Sequence, residues 1–350
     1  MDLITRPSAL SVVHRGVTWL RGRLGRAVVA SYALALLVPW PGLWLRRPHM
    51  LGELTVQVPP VLLGVLLFAG GFQVRVRALA GLARRPSALV AALALHCALP
   101  LVLIPLLVLL LRGTPDADHG SGIVTAMVMI VTMPVAANAT VWTAKGDGDQ
   151  PSMVAAVLGT TLLSPVTTPP VMRALTLLVH GTYAHTLSTA AELSHGGFAL
   201  TGIVAPCAAG VCCRLALSAA RADTLEAGIS LLALLASLVT TYLNASGALG
   251  ECLSHPRPLL LCAAVTAAVG VCGSAFALGR AAGAVLRLER GRCSSLALAC
   301  GMTNSSAGAV LITAAMPEKP YLLMPVLAYG LVQKTFAGLV VRRSRPCSPL

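Results

Sequence analysis

The chain has 350 residues, 56% of them hydrophobic and 11% charged, with a mean hydropathy of +0.81. Water-soluble domains carry about 25% charged residues, so this composition describes an integral membrane protein, and its long apolar runs exclude a β-barrel, whose strands alternate residue by residue. The net charge of +14 does not describe a nucleic-acid surface, because the basic residues are scattered between apolar segments without interleaved aromatics.

A basic segment, residues 1–26, comes first, with Arg6, Arg15, Arg21, Arg23 and Arg26. It reads as an amphipathic or irregular cytoplasmic lead-in and lacks the pattern of a cleavable signal. Ten apolar stretches follow, each near the ~20 residues that cross a bilayer as a helix: 27–45, 57–73, 87–111, 122–143, 152–179, 197–219, 225–246, 258–279, 294–316 and 321–341. The fifth holds Pro165, Pro169 and Pro170 and is expected to kink. A short basic tail, 342–350, closes the chain. With both termini in the cytoplasm, the inner segments hold nineteen Lys and Arg and the outer loops five (Arg46, Arg47, Arg112, Arg257 and Lys319). Cytoplasmic loops carry such an excess, so the charge distribution supports ten spans in that orientation.

The spans divide into two halves, 27–180 and 197–341. Five spans per half force the halves into opposite orientations, the inverted-repeat logic of secondary transporters. The predicted fold is therefore all-α: ten transmembrane helices in two inverted five-helix repeats, surrounded by membrane lipid.

Polar interruptions fall in the fourth span of each half. The first is Met133-Pro134-Val135-Ala136-Ala137-Asn138-Ala139-Thr140, with Thr143 beyond it; the second is Gly301-Met302-Thr303-Asn304-Ser305-Ser306. A helix broken at membrane depth must have its freed backbone groups satisfied by protein, water or ligand. Matching breaks in two halves point to a binding site near the midplane. Broken ends also offer N–H groups to anions and carbonyls to cations. The plainer alternative is that Asn, Ser and Thr here join packed helices by hydrogen bonds.

The residues around these breaks resemble the bile acid:sodium symporter family. Leu66-Leu67-Phe68-Ala69-Gly70-Gly71-Phe72 followed by Arg84-Arg85-Pro86 is similar to its second helix and loop. His96-Cys97-Ala98-Leu99-Pro100 stands where the family has a glutamine-led turn. Pro134 through Pro169, with Gly148-Asp149 and Leu163-Ser164-Pro165-Val166-Thr167-Thr168-Pro169, aligns over the fourth and fifth helices. Gly301-Met302-Thr303-Asn304-Ser305 is similar to the family's GMQNS motif. The resemblance covers roughly residues 57–341, and the segment Met133–Asn138 also resembles auxin efflux carriers. It implies broken helices 4 and 9 that cross, a core of spans 3–5 and 8–10, and a panel of spans 1, 2, 6 and 7. It further implies a small organic anion as substrate: a sterol acid, carboxylate or sulfonate.

The chain departs from the family at the sodium ligands. Ala299 stands at the family's glutamate and Thr303 at its following glutamine; without gaps, its helix-four Ser-Asn becomes Ala139-Thr140, and its helix-five Ser and Thr become Met153 and Val157. None of the twelve acidic residues lies well inside a span, whereas hard cations favour oxygen ligands with charge. Instead Lys334 lies within the tenth span, eight residues before Arg342 and so about 12 Å from it at 1.5 Å per helical residue. Its ammonium is expected either to take the place of the missing sodium, pinning the crossover and attracting an anion, or to snorkel to the inner face. His96 is a second titratable candidate, or else a histidine bonded within the core. The coupling ion stands open between sodium, a proton and none.

The cysteines mostly lie in apolar segments without metal-site spacing, and no metal or cofactor is expected. No Ser-His-Asp arrangement, HExxH, paired intramembrane carboxylates or phosphate loop supports an enzyme. The competing readings are a transporter-like sensor or scaffold and an exporter of the auxin-efflux type.

Overall fold

The computed structural model describes residues 9–51, 54–74, 86–112, 120–254, 258–316 and 319–344. The loop arginines Arg75, Arg77, Arg84 and Arg85, the turn Gly113-Thr114-Pro115-Asp116, Arg257, Glu318, Arg6 and Arg345 lie outside the described residues. In chain order the described helices are α1 (Ala9–Leu37), α2 (Trp40–Arg46), α3 (Val58–Phe72), α4 (Ser87–Leu111), α5 (Ser121–Val131), α6 (Ala139–Lys145), α7 (Gln150–Thr176), α8 (Thr182–His195), α9 (Ala205–Ala216), α10 (Ala219–Ser254), α11 (Pro258–Val285), α12 (Arg290–Gly301), α13 (Ser305–Ala315) and α14 (Leu323–Ser344). A small antiparallel hairpin, β1 (His49–Leu51) and β2 (Leu54–Val56), joins α2 to α3.

The molecule is an all-α multi-pass membrane protein. Six described helical segments are each long and apolar enough to cross a bilayer, or seven spans if α1 and α2 count as one bent span. Exposed Leu101, Val102, Leu106, Leu109 and Leu110 line one side of α4, and Leu232, Leu235 and Val239 one side of α10. In water such stripes would be a liability; facing lipid they cost nothing.

Two boundaries differ from those expected. The sequence predicts a first apolar stretch at 27–45, after an amphipathic or irregular lead-in. Helix α1 instead runs unbroken from Ala9, and the chain bends by 94° between Leu37 and Trp40. The residue before a proline is driven out of the helical region, so Val38-Pro39 ends α1, and Pro41 sits in the first turn of α2, where no N–H is needed. Secondly, residues 180–196 contain α8, with Tyr183, Leu187, Ala190 and Ala191 buried along one face. It carries two histidines and a glutamate, yet its apolar residues recur at helical spacing.

Packing sorts the helices into two groups. Helix α1 lies along α10, and α3 packs on α9 and α10; α11 packs on α12 and α14, and α4 on α7 and α11. Glycines permit the closest approach. A Cβ on Gly71 of α3 would strike the Cys207 carbonyl of α9, and one on Gly210 of α9 would strike the Phe68 carbonyl of α3. Helix α5 is buried from Gly122 to Val131 and α12 from Ser294 to Gly301. Both interrupted segments therefore run through protein rather than lipid.

Candidate functional site

The two interruptions meet. After Val131 the chain leaves helical geometry at Thr132–Asn138, where Pro134 cannot donate and restricts Met133. After Gly301 it does so at Met302–Asn304. The Ala136 amide donates to the Met302 carbonyl at 2.8 Å, and the Asn304 amide donates to the Pro134 carbonyl at 2.8 Å. Val135 and Thr303 thus form a one-residue antiparallel bridge between the breaks.

Other freed groups are satisfied by side chains. The Val135 amide donates to Thr160 Oγ1 of α7 at 3.1 Å, and Thr168 Oγ1 of the same helix donates to the Thr132 carbonyl at 3.1 Å. Asn304 caps α13, its Oδ1 accepting from the Ala307 amide at 3.1 Å. Such caps are worth about 1 kcal/mol. Asn138 occupies the equivalent position before α6 but makes no capping bond, and its buried Oδ1 has no partner among the described residues.

A small polar cleft opens beside this crossing. Its walls are Asn138 and residues Thr303–Ser306 of the breaks, Leu66 and Leu67 of α3, Thr241 and Asn244 of α10, Tyr32 of α1, and Gln333 and Lys334 of α14. It therefore lies between the two groups of helices. Gln333 donates from Nε2 to Ser305 Oγ at 3.3 Å, and its buried Oε1 has no partner among the described residues.

Of the residues singled out in sequence, Asn138, Thr303, Asn304, Ser305, Ser306 and Lys334 line the cleft. Pro134 contributes its carbonyl to the crossing. Thr140 and Thr143 turn their hydroxyls back to the carbonyls of Ala137 and Ala139, and Thr140 lines a separate cavity with Arg21, Lys145 and Glu226. His96 lies behind the crossing, beside small cavities shared with Thr132 and Thr168 and with Cys300, Thr303 and Tyr329. The Lys334 ammonium does not pin the breaks. It donates across the cleft to Thr241 Oγ1 at 3.4 Å.

Several cleft residues were passed over in sequence. Asn244 gives no sign in sequence of its place in the cleft, and Arg46, which bonds to it from outside the cleft's lining, stands in sequence as one more outer-loop charge. Gln333, next to Lys334 in an apolar span, was the signal most open to notice. At the expected sodium ligands, Ala299, Met153 and Val157 are buried and present methyls or a thioether. Among the described residues, no three His, Cys, Asp or Glu side chains gather as a metal site would require.

A family model described as the sodium bile acid symporter family matches residues 60–255. The chain belongs to this family. Its members are membrane transporters of organic anions or bile acids, which agrees with a multi-pass helical chain carrying a cation in a polar cleft. The match takes in α3 through α10, including the first interruption and the Thr241–Asn244 wall. No curated protein matches the chain.

Proposed function

We propose that the protein is a secondary transporter of a small organic anion, working by alternating access and without sodium. In this reading the chain forms ten spans in two inverted repeats, with both termini cytoplasmic. Helices α5–α6 and α12–α13 are the broken fourth and ninth spans, and the group α1, α3, α9 and α10 is a panel that rocks against a core containing the crossing. The observation that carries the reading is the pair of mutually hydrogen-bonded breaks forming one wall of a cleft across which Lys334 of α14 reaches Thr241 of α10. An ammonium in such a place costs ~2.5 kcal/mol or more on insertion scales, and an anionic substrate offsets that cost. Absence of the carboxylate at Ala299, with apolar Met153 and Val157, supports independence from sodium.

The test is uptake of labelled organic anions into proteoliposomes, with sodium on the outside or replaced by choline. Equal uptake in both is expected. Strict sodium dependence would remove the coupling claim. Binding without flux would favour the sensor or scaffold.

A further inference from the structure

Two cations reach one face of α10, a single turn apart. Lys334 Nζ donates to Thr241 Oγ1 at 3.4 Å. Arg46 Nη1 donates to Asn244 Oδ1 at 3.3 Å, and its Nη2 to Thr313 Oγ1 of α13 at 3.0 Å. Positions three apart on a helix share a face, and their rise is about 4.5 Å at 1.5 Å per residue. Thr241 and Asn244 both line the cleft. Arg46 sits just behind Asn244, on the short helix that the 94° bend swings across the end of α10.

The seat of Arg46 is built for it. Gly247 lies one turn beyond Asn244, and a Cβ there would stand 3.0 Å from Arg46 Nε and 3.1 Å from Cζ. Glycine inside a helix costs about 1 kcal/mol relative to alanine, and here its bare backbone is what admits the guanidinium. Both cations hydrogen-bond only to neutral hydroxyl or amide oxygens among the described residues. Arginine carries five N–H donors in a planar fork suited to a carboxylate, and the two bonds it makes leave donors to spare.

We infer that the transported anion is a dianion, a short aliphatic dicarboxylate with one carboxylate on Lys334 and the other on Arg46. The inference rests on the organic-anion reading above and narrows it. The second carboxylate takes the guanidinium donors that Asn244 Oδ1 and Thr313 Oγ1 leave unused, so it binds beside the contact between α10 and α13 that Arg46 bridges. Their anchors on α10, Thr241 and Asn244, lie about 4.5 Å apart along the helix axis, a spacing that a short aliphatic dicarboxylate can bridge.

The experiment is a thermal-shift titration of the full chain in nanodiscs with succinate, with butyrate (the same carbon count, one carboxylate fewer) and with taurocholate. Succinate is expected to stabilise at about a tenfold lower concentration than butyrate, the effect of one added charge-assisted pair. Arg46→Gln should raise the succinate midpoint to that of butyrate. Gly247→Ala, which displaces the guanidinium while keeping its charge, should do the same and covers the case in which Arg46→Gln does not fold. Equal midpoints for succinate and butyrate, or a succinate preference indifferent to both variants, overturns the inference. Stabilisation by taurocholate alone overturns it too and leaves the organic-anion transporter standing. No response to any of the three counts against both.

Discussion

The Ala136 amide donates to the Met302 carbonyl at 2.8 Å, joining two segments far apart in sequence at the point where each stops being a helix. Backbone groups freed by a helix break need partners inside a membrane, and here each break supplies the other with one donor and one acceptor. This mutual pairing lets both segments stay extended and keeps the side chains of Asn138 and Thr303–Ser306 beside one cleft.

Thr160 is the remote support of this arrangement. Thr160→Val keeps the volume but leaves the Val135 amide without its acceptor, at a cost of about 1–3 kcal/mol. The melting temperature in detergent should fall by several degrees, while Thr160→Ser stays close to the parent. Equal stability of the two variants would show that Val135 finds another acceptor.

Asn304 does two things that one pair of variants separates. Asn304→Ala removes the cap on Ala307 and should lose about 1 kcal/mol of stability. Asn304→Asp retains a capping oxygen and should melt near the parent, yet it places a carboxylate in the cleft and should abolish anion uptake. Normal transport by the Asp variant would contradict an anionic substrate.

Lys334 supplies the cleft with a cation. Lys334→Met should abolish anion uptake while leaving the protein folded, since its hydrogen bond reaches a hydroxyl on a neighbouring helix. Lys334→Arg keeps the charge and should retain part of the flux. A wild-type rate in the Met variant would mean that the ammonium only snorkels.

The contact of α3 with α9 depends on Gly71 and Gly210. Gly210→Ala drives a methyl into the Phe68 carbonyl and should cost about 1–3 kcal/mol through overpacking. Gly270→Ala on α11 meets nothing within 4 Å and should be neutral or stabilising by up to about 1 kcal/mol. Comparing their melting temperatures tests whether the close approach, rather than glycine as such, matters.

Much of the fold was legible because bilayers write simple rules into sequence. Apolar length marked α4, α7 and α11 within a few residues. Proline and asparagine in apolar surroundings marked both interruptions. Helix α8 was missed because its polar face dominates its composition, and α1 was begun too late because arginines on one side of a helix look like a polar segment. Asn304 was legible as part of the second break, while its role as a cap came only with the geometry. The roles of Thr160, Asn244 and Arg46 were not legible, since their partners are remote in sequence.

By itself, then, the sequence determined the membrane class, the places where helices break, and the absence of a carboxylate at Ala299. Each is a property of a residue and its near neighbours, set by hydropathy, backbone freedom or charge. Only the tertiary structure decided that the breaks bond to each other, that Lys334 reaches Thr241 across the cleft instead of the crossing, and that Gly247 clears a seat for Arg46. Those are distances between helices, and a hydrogen bond exists only where packing brings donor and acceptor within about 3 Å.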